Sequence, residues 1–445
     1  MLAPSSEAHS YPVKPRLTTP LLSTLVSAWA GSLCMGVTLG YSSPAAESLA
    51  AATGAGAESF QAVSDSVWLS HLLPAGAVPG AFLGAVVSQA MGRRVGLMLS
   101  SVLFMLGYAV IFFAGSGVLL LCGRFVTGVA AGTVSLCVPA YIAEITLPSH
   151  RGTMGGVLQL AITIGIMLSY TVGRFVGWRT LGAVCFLCSV VQVGAGHFSV
   201  ESPRWLVLRG RRQAAMAALG RLRGPQGKTE AECRAVEEVF ALASAPRSHT
   251  MLALHAHFIQ QFSGINMVAA TMVVVSVMDV VGRRRLLTAS SLICVVAMLS
   301  IAGLYSVSSN PADASSAPSV VERLPILFLG LYIVGYSVGL GPVVWILGAE
   351  LVPLRHRGLR FGTVVAFDWA CAGGVTWFFN SVRESFQFSG LGWFFSSVTF
   401  LGGTLVAIFL PETRGQSLEN ILQSRFQDIE EEYGPSSKSS SSLRK

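Results

Sequence analysis

The sequence predicts an all-α polytopic membrane protein, on three observations. Of its 445 residues, 52% are apolar and 12% charged, and the mean hydropathy is +0.62. The apolar residues gather in nearly uncharged stretches of about 20, the length a helix needs to cross a bilayer. Lys and Arg fall in short loops beside those stretches, where they set topology, so the formal charge of +8 is no argument for a nucleic-acid partner.

Eleven spans are expected, near 21–40, 67–89, 95–114, 118–141, 153–175, 181–198, 251–281, 286–305, 324–346, 361–380 and 389–410. The first follows a leader with Lys14 and Arg16 and is too long for a cleaved signal segment. Residues 42–66 and 306–322 carry no Lys or Arg, whereas 201–250 carries nine, and MGRR (91–94), SHRG (149–152), GRRR (282–285) and PLRHRGLR (353–360) are basic. The first set is assigned to the outside or a lumen, the second to the cytoplasm. Seven of the eight cysteines lie inside spans, only Cys233 lies in a polar loop, and no Cys/His spacing suits a metal. No disulfide, metal or cofactor is expected, and nothing resembles a nucleophile or a phosphate loop, so an enzyme is not expected either. Gly80-xxx-Gly84 and Gly128-xxx-Gly132 are the spacing that lets helices pack closely.

The chain repeats itself. Glu144 and Arg151 in AEITLPSHRG are seven apart, as are Glu350 and Arg357 in AELVPLRHRG, 206 residues later. MGRR recurs as VGRR 190 residues on, and ESPRW (201–205) has a counterpart in PETRG (411–415). Two copies of one membrane unit follow. In the first copy the first helix begins 71 residues before Gly92; in the second, the helix starting near Met251 begins only 31 before Gly282. Around 40 residues are absent from the second copy, the end of one helix, a loop and most of another.

In order along the chain stand GRFVTG (123–128), PAYIAE (139–144) with SHRG, VESPRWL (200–206), QQFSGIN (260–266), GPVVW (341–345) and PETRGQSLE (411–419). Together they resemble the sugar porters of the major facilitator superfamily, in particular animal facilitative hexose transporters, over residues 22–420. GYSSP (40–44) and the long loop before residue 324 are most similar to the endosomal and lysosomal branch. The resemblance implies a major facilitator fold of two six-helix halves, here with eleven apolar segments, and facilitative uniport of a hexose such as glucose by alternating access. It implies a leader over 1–20, membrane halves over 21–200 and 251–412, a cytoplasmic helical linker over 201–250 and a cytoplasmic tail over 413–445. It also implies cytoplasmic termini in a plasma, endosomal or lysosomal membrane.

A hexose is a ring of hydroxyls with apolar faces, so a site in the membrane needs amides that donate and accept, and an aromatic surface. By resemblance Gln159, Gln260, Gln261, Asn266 and Trp345 bind sugar, with Trp369 beside them. Gln260 and Gln261 point about 100° apart on a helix, and Asn266 joins them only if the helix bends, which Gly264 permits. The plainer alternatives are an amide that bonds a neighbouring helix, an interfacial anchor for Trp345, and core packing for Trp369. Trp345 follows Gly339, Gly341 and Pro342, which weaken a helix. Resemblance places Arg93, Arg94, Glu144, Arg151, Glu201, Arg204, Asp279, Arg283, Arg284, Glu350 and Arg357 in an ion-pair network that latches the halves when the site faces outward. One departure stands in it: Gln89 occupies the position that Asp279 keeps in the second copy.

Related symporters carry a proton on an aspartate of the first helix, and the matching residue here is Thr38, which favours uniport. Asp368, within FDWACAGG, is an intramembrane carboxyl that either accepts sugar hydroxyls, carries a proton in a symporter, or pairs with Arg124. The shortened copy leaves three courses for 251–281: two short pieces that dip in and return, one crossing that inverts the rest, or a chain that never folds stably. A helix of 31 residues would be about 46 Å long against an apolar core of about 30 Å, so a bent or re-entrant course is expected. The competing function is a non-transporting sugar sensor, or a dominant-negative isoform that assembles with intact relatives. Expected partners are a small-molecule sugar, the lipid bilayer and, in that second case, a homo- or hetero-oligomer.

Overall fold

A computed structural model describes residues 18–52, 57–225, 229–242, 247–262, 271, 278–307, 320–352 and 357–416. Helices α1 (Thr19–Gly40), α2 (Ser42–Ala50) and α3 (Ala57–Asp65) open the first copy, followed by α4 (Trp68–Met91), α5 (Arg93–Phe112), α6 (Gly117–Ile145), α7 (Arg151–Gly173) and α8 (Trp178–His197). Short helices α9 (Pro203–Leu208), α10 (Arg212–Arg223) and α11 (Thr229–Leu242) form the connection. The second copy holds α12 (Arg247–Phe262), α13 (Arg283–Val307), α14 (Val320–Val338), α15 (Pro342–Leu351) and α16 (Arg357–Phe409). Starts are set locally. Thr18 caps the Leu21 amide with Pro20 in the first turn, Ser116 caps Leu119, and Ser202 caps Trp205 ahead of Pro203.

Nine helices among the described residues are long and apolar enough to cross a membrane. The sequence predicts eleven, and the two others have separate reasons. Segment 361–380 is the first limb of α16, whose rings Phe378 and Phe394 lie 5.2 Å apart. In a straight helix sixteen residues would separate them by about 24 Å, so α16 turns back on itself between them. Within 251–281, only α12, Thr271 and the residues from Met278 onward are described.

The contacts of α12 fix its direction. His257 lies against Gly348, two residues from Glu350, while Gln260 bonds the carbonyl of Gly341, nine residues from Glu350. Thus α12 runs away from the end of the bundle that holds Glu350. Asp279 is back at that end, accepting from the amides of Gly152 and Thr153 at 3.0 and 2.7 Å. The chain therefore leaves and regains the same end between Phe262 and Met278, as the re-entrant expectation has it, and the second copy is not inverted.

Lipid-facing sides are apolar: Val86, Leu187, Ile326 and Leu401 are each more than 60% exposed. Inside, helices touch at backbone distance. A Cβ on Gly80 would fall on the carbonyl of Val129, and one on Gly132 on the carbonyl of Ala77, so α4 and α6 meet through the two small-residue spacings. Replacing Gly80 by Val should destabilise the fold by about 1–3 kcal/mol or more. A drop in thermal unfolding temperature in detergent checks this, against an unchanged value for Gly194→Val, where nothing lies within 4 Å.

Candidate sugar cavity and the charged latch

The two copies build the same cap twice. Gly92 and Gly282 sit at φ 110° and 98°, a region that favours glycine. Each begins the turn into a following helix, α5 or α13. Glu201 accepts from the amides of Arg93 and Arg94 at 2.9 and 3.3 Å, and Glu412 does the same for Arg283 and Arg284 at 2.9 and 3.2 Å. A carboxylate at a helix start satisfies orphan amides and meets the positive end of the dipole. Burial nonetheless pushes the Glu201 carboxyl above its usual range, against the pull of those amides.

The two buried glutamates are each held from both copies. Glu144 takes Arg93 of its own half at 3.0 Å and Arg357 of the other at 3.1 Å. Glu350 takes Arg283 of its own half at 3.5 Å and Arg151 of the other at 3.7 Å. Ser202 donates to Glu144 at 2.5 Å and Thr413 to Glu350 at 2.7 Å, so the hydroxyls repeat too. Asp279 adds a contact to α7 and lies 3.2 Å from Arg283. At the matching place in the first copy, Gln89 Oε1 lies where a Cβ on Gly358 would fall. Three predicted members act on carbonyls. Arg94 donates to Gly196 and His197 at the end of α8, Arg284 to Ala407 near the end of α16, and Arg204 to Ala143 and Glu144 at the end of α6. Cations there complement the negative ends of those helices.

Deeper in the seam, α7 and α15 face each other, with Gly155 against Ile346. Gln159 is one turn beyond Gly155 on the same face. It is buried, and its Oε1 meets no hydrogen-bond partner among the described residues. Across the seam, the chain unwinds at Gly339–Gly341 between α14 and α15, and Gln260 donates to the freed Gly341 carbonyl at 3.1 Å. The break expected from Gly339, Gly341 and Pro342 is therefore present. Gln260 is buried and Gln261 half-buried, as their 100° separation demands. Trp345 is buried edge-on to His257, with centroids 5.2 Å apart, so it is not an interfacial anchor. Trp369 donates to Ser135 Oγ of α6 at 3.2 Å, bridging the halves. Asn266 and Gly264 lie outside the described residues.

Asp368 does not pair with Arg124. It accepts from His257 at 3.1 Å in a site where both side chains are at most 1% exposed. Arg124 instead donates to the Thr38 carbonyl at 3.2 Å and to Ser42 Oγ at 2.6 Å, with its guanidinium 5.2 Å from the Tyr41 ring centre. Among the described residues no carboxylate pairs with it. Thr38 receives the Tyr108 hydroxyl at 2.7 Å. His257 escaped the sequence reading, though a signal was present: it stands one turn before Gln260 on an otherwise apolar face.

Two substitutions rank the latch. Glu144→Gln strips both Arg93 and Arg357 of their carboxylate and should cost about 3–5 kcal/mol. Arg357→Ala leaves Glu144 with Arg93 and should cost less, about 1–3 kcal/mol. Thermal unfolding of the two variants checks the order, and the reverse order would contradict the shared-glutamate geometry.

The model of the family described as "Sugar (and other) transporter" matches residues 24–270 and 267–424, the two pieces meeting where the second copy is short. Among curated relatives, the facilitated trehalose transporter Tret1-2 homolog of Drosophila simulans is 30% identical over 95% of this chain and 94% of its own length. Tret1-1 of Drosophila sechellia is 30% identical over 88% of this chain, which spans only 50% of that relative. Among solved structures, the proton:xylose symporter XylE bound to 6-bromo-6-deoxy-D-glucose has a TM-score of 0.79 at 23% identity, covering 90% of this chain and 98% of that one. The inward-open xylose transporter XylE from E. coli has a TM-score of 0.67 at 23% identity, covering 91% and 99%. The repeated caps, the doubly shared glutamates and these matches lead to one conclusion: the chain belongs to the sugar porter family of the major facilitator superfamily and is a sugar transporter of that family.

Proposed function

We propose that the chain carries a neutral sugar, a hexose such as glucose or a disaccharide of hexoses such as trehalose, by facilitative alternating access. The observation that carries this reading is the set of buried amides and indoles on both sides of one seam: Gln159 on α7, Gln260 on α12, Trp345 on α15 and Trp369 on α16. Amides match hydroxyls in both directions and indoles match the apolar face of a sugar ring. Gln261, Asn266 and Asp368 complete the proposed contacts. The relatives named for trehalose support the wider substrate class.

Alternating access follows from the latch. With Glu144 and Glu350 each held by arginines of both halves, the charged end is shut. Opening it requires Arg357 to leave Glu144 and Arg151 to leave Glu350 together, a rocking of one half on the other. We read that end as cytoplasmic, with both termini on the same side, because the basic loops gather there. Uniport is favoured by Thr38, whose hydroxyl and carbonyl serve Tyr108 and Arg124 where a symporter would hold a carboxyl.

A second reading keeps its place on one observation. The family match breaks at residues 267–270, where the chain lacks helix that would help wall the cavity. A non-transporting sugar sensor, or an isoform that assembles with intact relatives, fits that gap. Uptake into proteoliposomes decides: the carrier reading expects saturable entry of trehalose or D-glucose, reduced about tenfold or more by Gln159→Leu or Gln260→Leu, since an unmatched buried hydroxyl costs about 1–3 kcal/mol. Sugar binding without entry would favour the sensor.

A further inference from the structure

Within the proposed sugar cavity, His257 and Asp368 form a pair that no carbohydrate contact requires. Nδ1 of His257 lies 3.1 Å from Asp368 Oδ1, and the two side chains are 0% and 1% exposed. Nε2 of His257 is buried and meets no hydrogen-bond partner among the described residues. The pair is walled by neutral groups. Trp345 and Gly348 come from α15, Tyr336 of α14 neighbours both Gln260 and Asp368, and Cys371 lies beside Asp368 on α16. Tyr and Cys ordinarily titrate near 10 and 8.5, so both are uncharged at pH 7. His255 of α12 turns elsewhere, toward the Gly402 carbonyl. Arg124 serves Thr38 and Ser42, so no cation among the described residues compensates Asp368 except His257 itself.

We infer that His257 and Asp368 bind one proton together, and that this proton is linked to sugar binding through the Nε2 edge of His257. The inference rests on the reading of this cavity as the sugar site. In a closed, water-poor cavity a lone carboxylate is strongly disfavoured, whereas imidazolium and carboxylate together carry no net charge. The pair therefore retains the proton when the cavity shuts and releases it more readily when water reaches Asp368. With the pair protonated, Nδ1–H donates to Asp368 and Nε2–H is left as a donor, and a sugar hydroxyl oxygen is the acceptor that meets it. Proton and sugar then favour each other's binding, by reciprocal linkage. The two groups titrate as a unit.

The full-length protein in lipid nanodiscs, with trehalose and D-glucose as probes, tests this by calorimetry at pH 5.5–8 in two buffers of different ionisation enthalpy. Linkage expects up to one proton taken up per sugar bound, and sugar affinity falling about tenfold per pH unit above the pair's apparent pKa. His257→Gln and Asp368→Asn should each abolish the proton uptake and flatten the pH profile. A second readout needs no sugar: imidazolium beside an indole quenches its emission, so a pH step in tryptophan fluorescence should vanish in His257→Gln and in Trp345→Phe. Sugar binding without proton uptake, uptake that persists in both His257→Gln and Asp368→Asn, or a fluorescence step unaltered by His257→Gln overturns the inference. Failure to bind either sugar at any pH, with the fluorescence step intact, overturns the carrier reading and the sugar linkage while leaving the proton pair standing.

Discussion

Glu144 and Glu350 are the fixed points on which the rest of the molecule depends. A carboxylate sealed from water is costly unless it is paired and hydrogen-bonded, and each of these two is served by one arginine of its own half, one arginine of the other half and one hydroxyl. The own-half partner and the hydroxyl keep each glutamate in place within its copy. The arginine from the opposite half is the part that depends on how the halves meet. One chemical motif thus stabilises each half and registers the two against each other, and its doubling gives the closed end two matching contacts.

That arrangement explains why the shortened second copy still assembles. What the latch needs from the second half is Asp279, Arg283, Glu350, Arg357 and Glu412 at one end, and all five sit there. The missing stretch falls between α12 and α13, away from those residues. Its loss bears on the cavity wall, so the fold survives a change that bears directly on transport. The ends of the truncated segment are held by capping and ion pairs rather than by a full transmembrane helix.

Much of this was readable in the residues, for reasons that differ from place to place. The seven-residue spacing of Glu144 and Arg151, recurring at Glu350 and Arg357, announced the repeat, because polar residues in an apolar chain stand out and their spacing is conserved by helix geometry. Gln159, Gln260 and Trp345 were legible as polar or aromatic residues inside spans. The partner of Asp368 was not, since residues 257 and 368 are brought together only by the packing of α12 on α16. Arg124 looked like a candidate because it is the buried cation of the other half, yet carbonyls, Ser42 and the Tyr41 ring already serve it. The exchange of carboxylates for helix-end carbonyls at Arg94, Arg204 and Arg284 was likewise hidden, because sequence displays charges but not the ends of distant helices.

The central claim is that the short segment between α12 and α13 returns the chain to the end it left, so that both halves share one orientation. Single glycosylation acceptors, a spaced Asn-Ala-Ser placed after Ser315 and another in the loop between α2 and α3, test it in cells. Modification of both places the two loops on one side of the membrane, the result this account predicts. Modification of the acceptor between α2 and α3 but not of the one after Ser315 would mean an inverted second half, with Glu350 and Glu144 at opposite ends, and would contradict it.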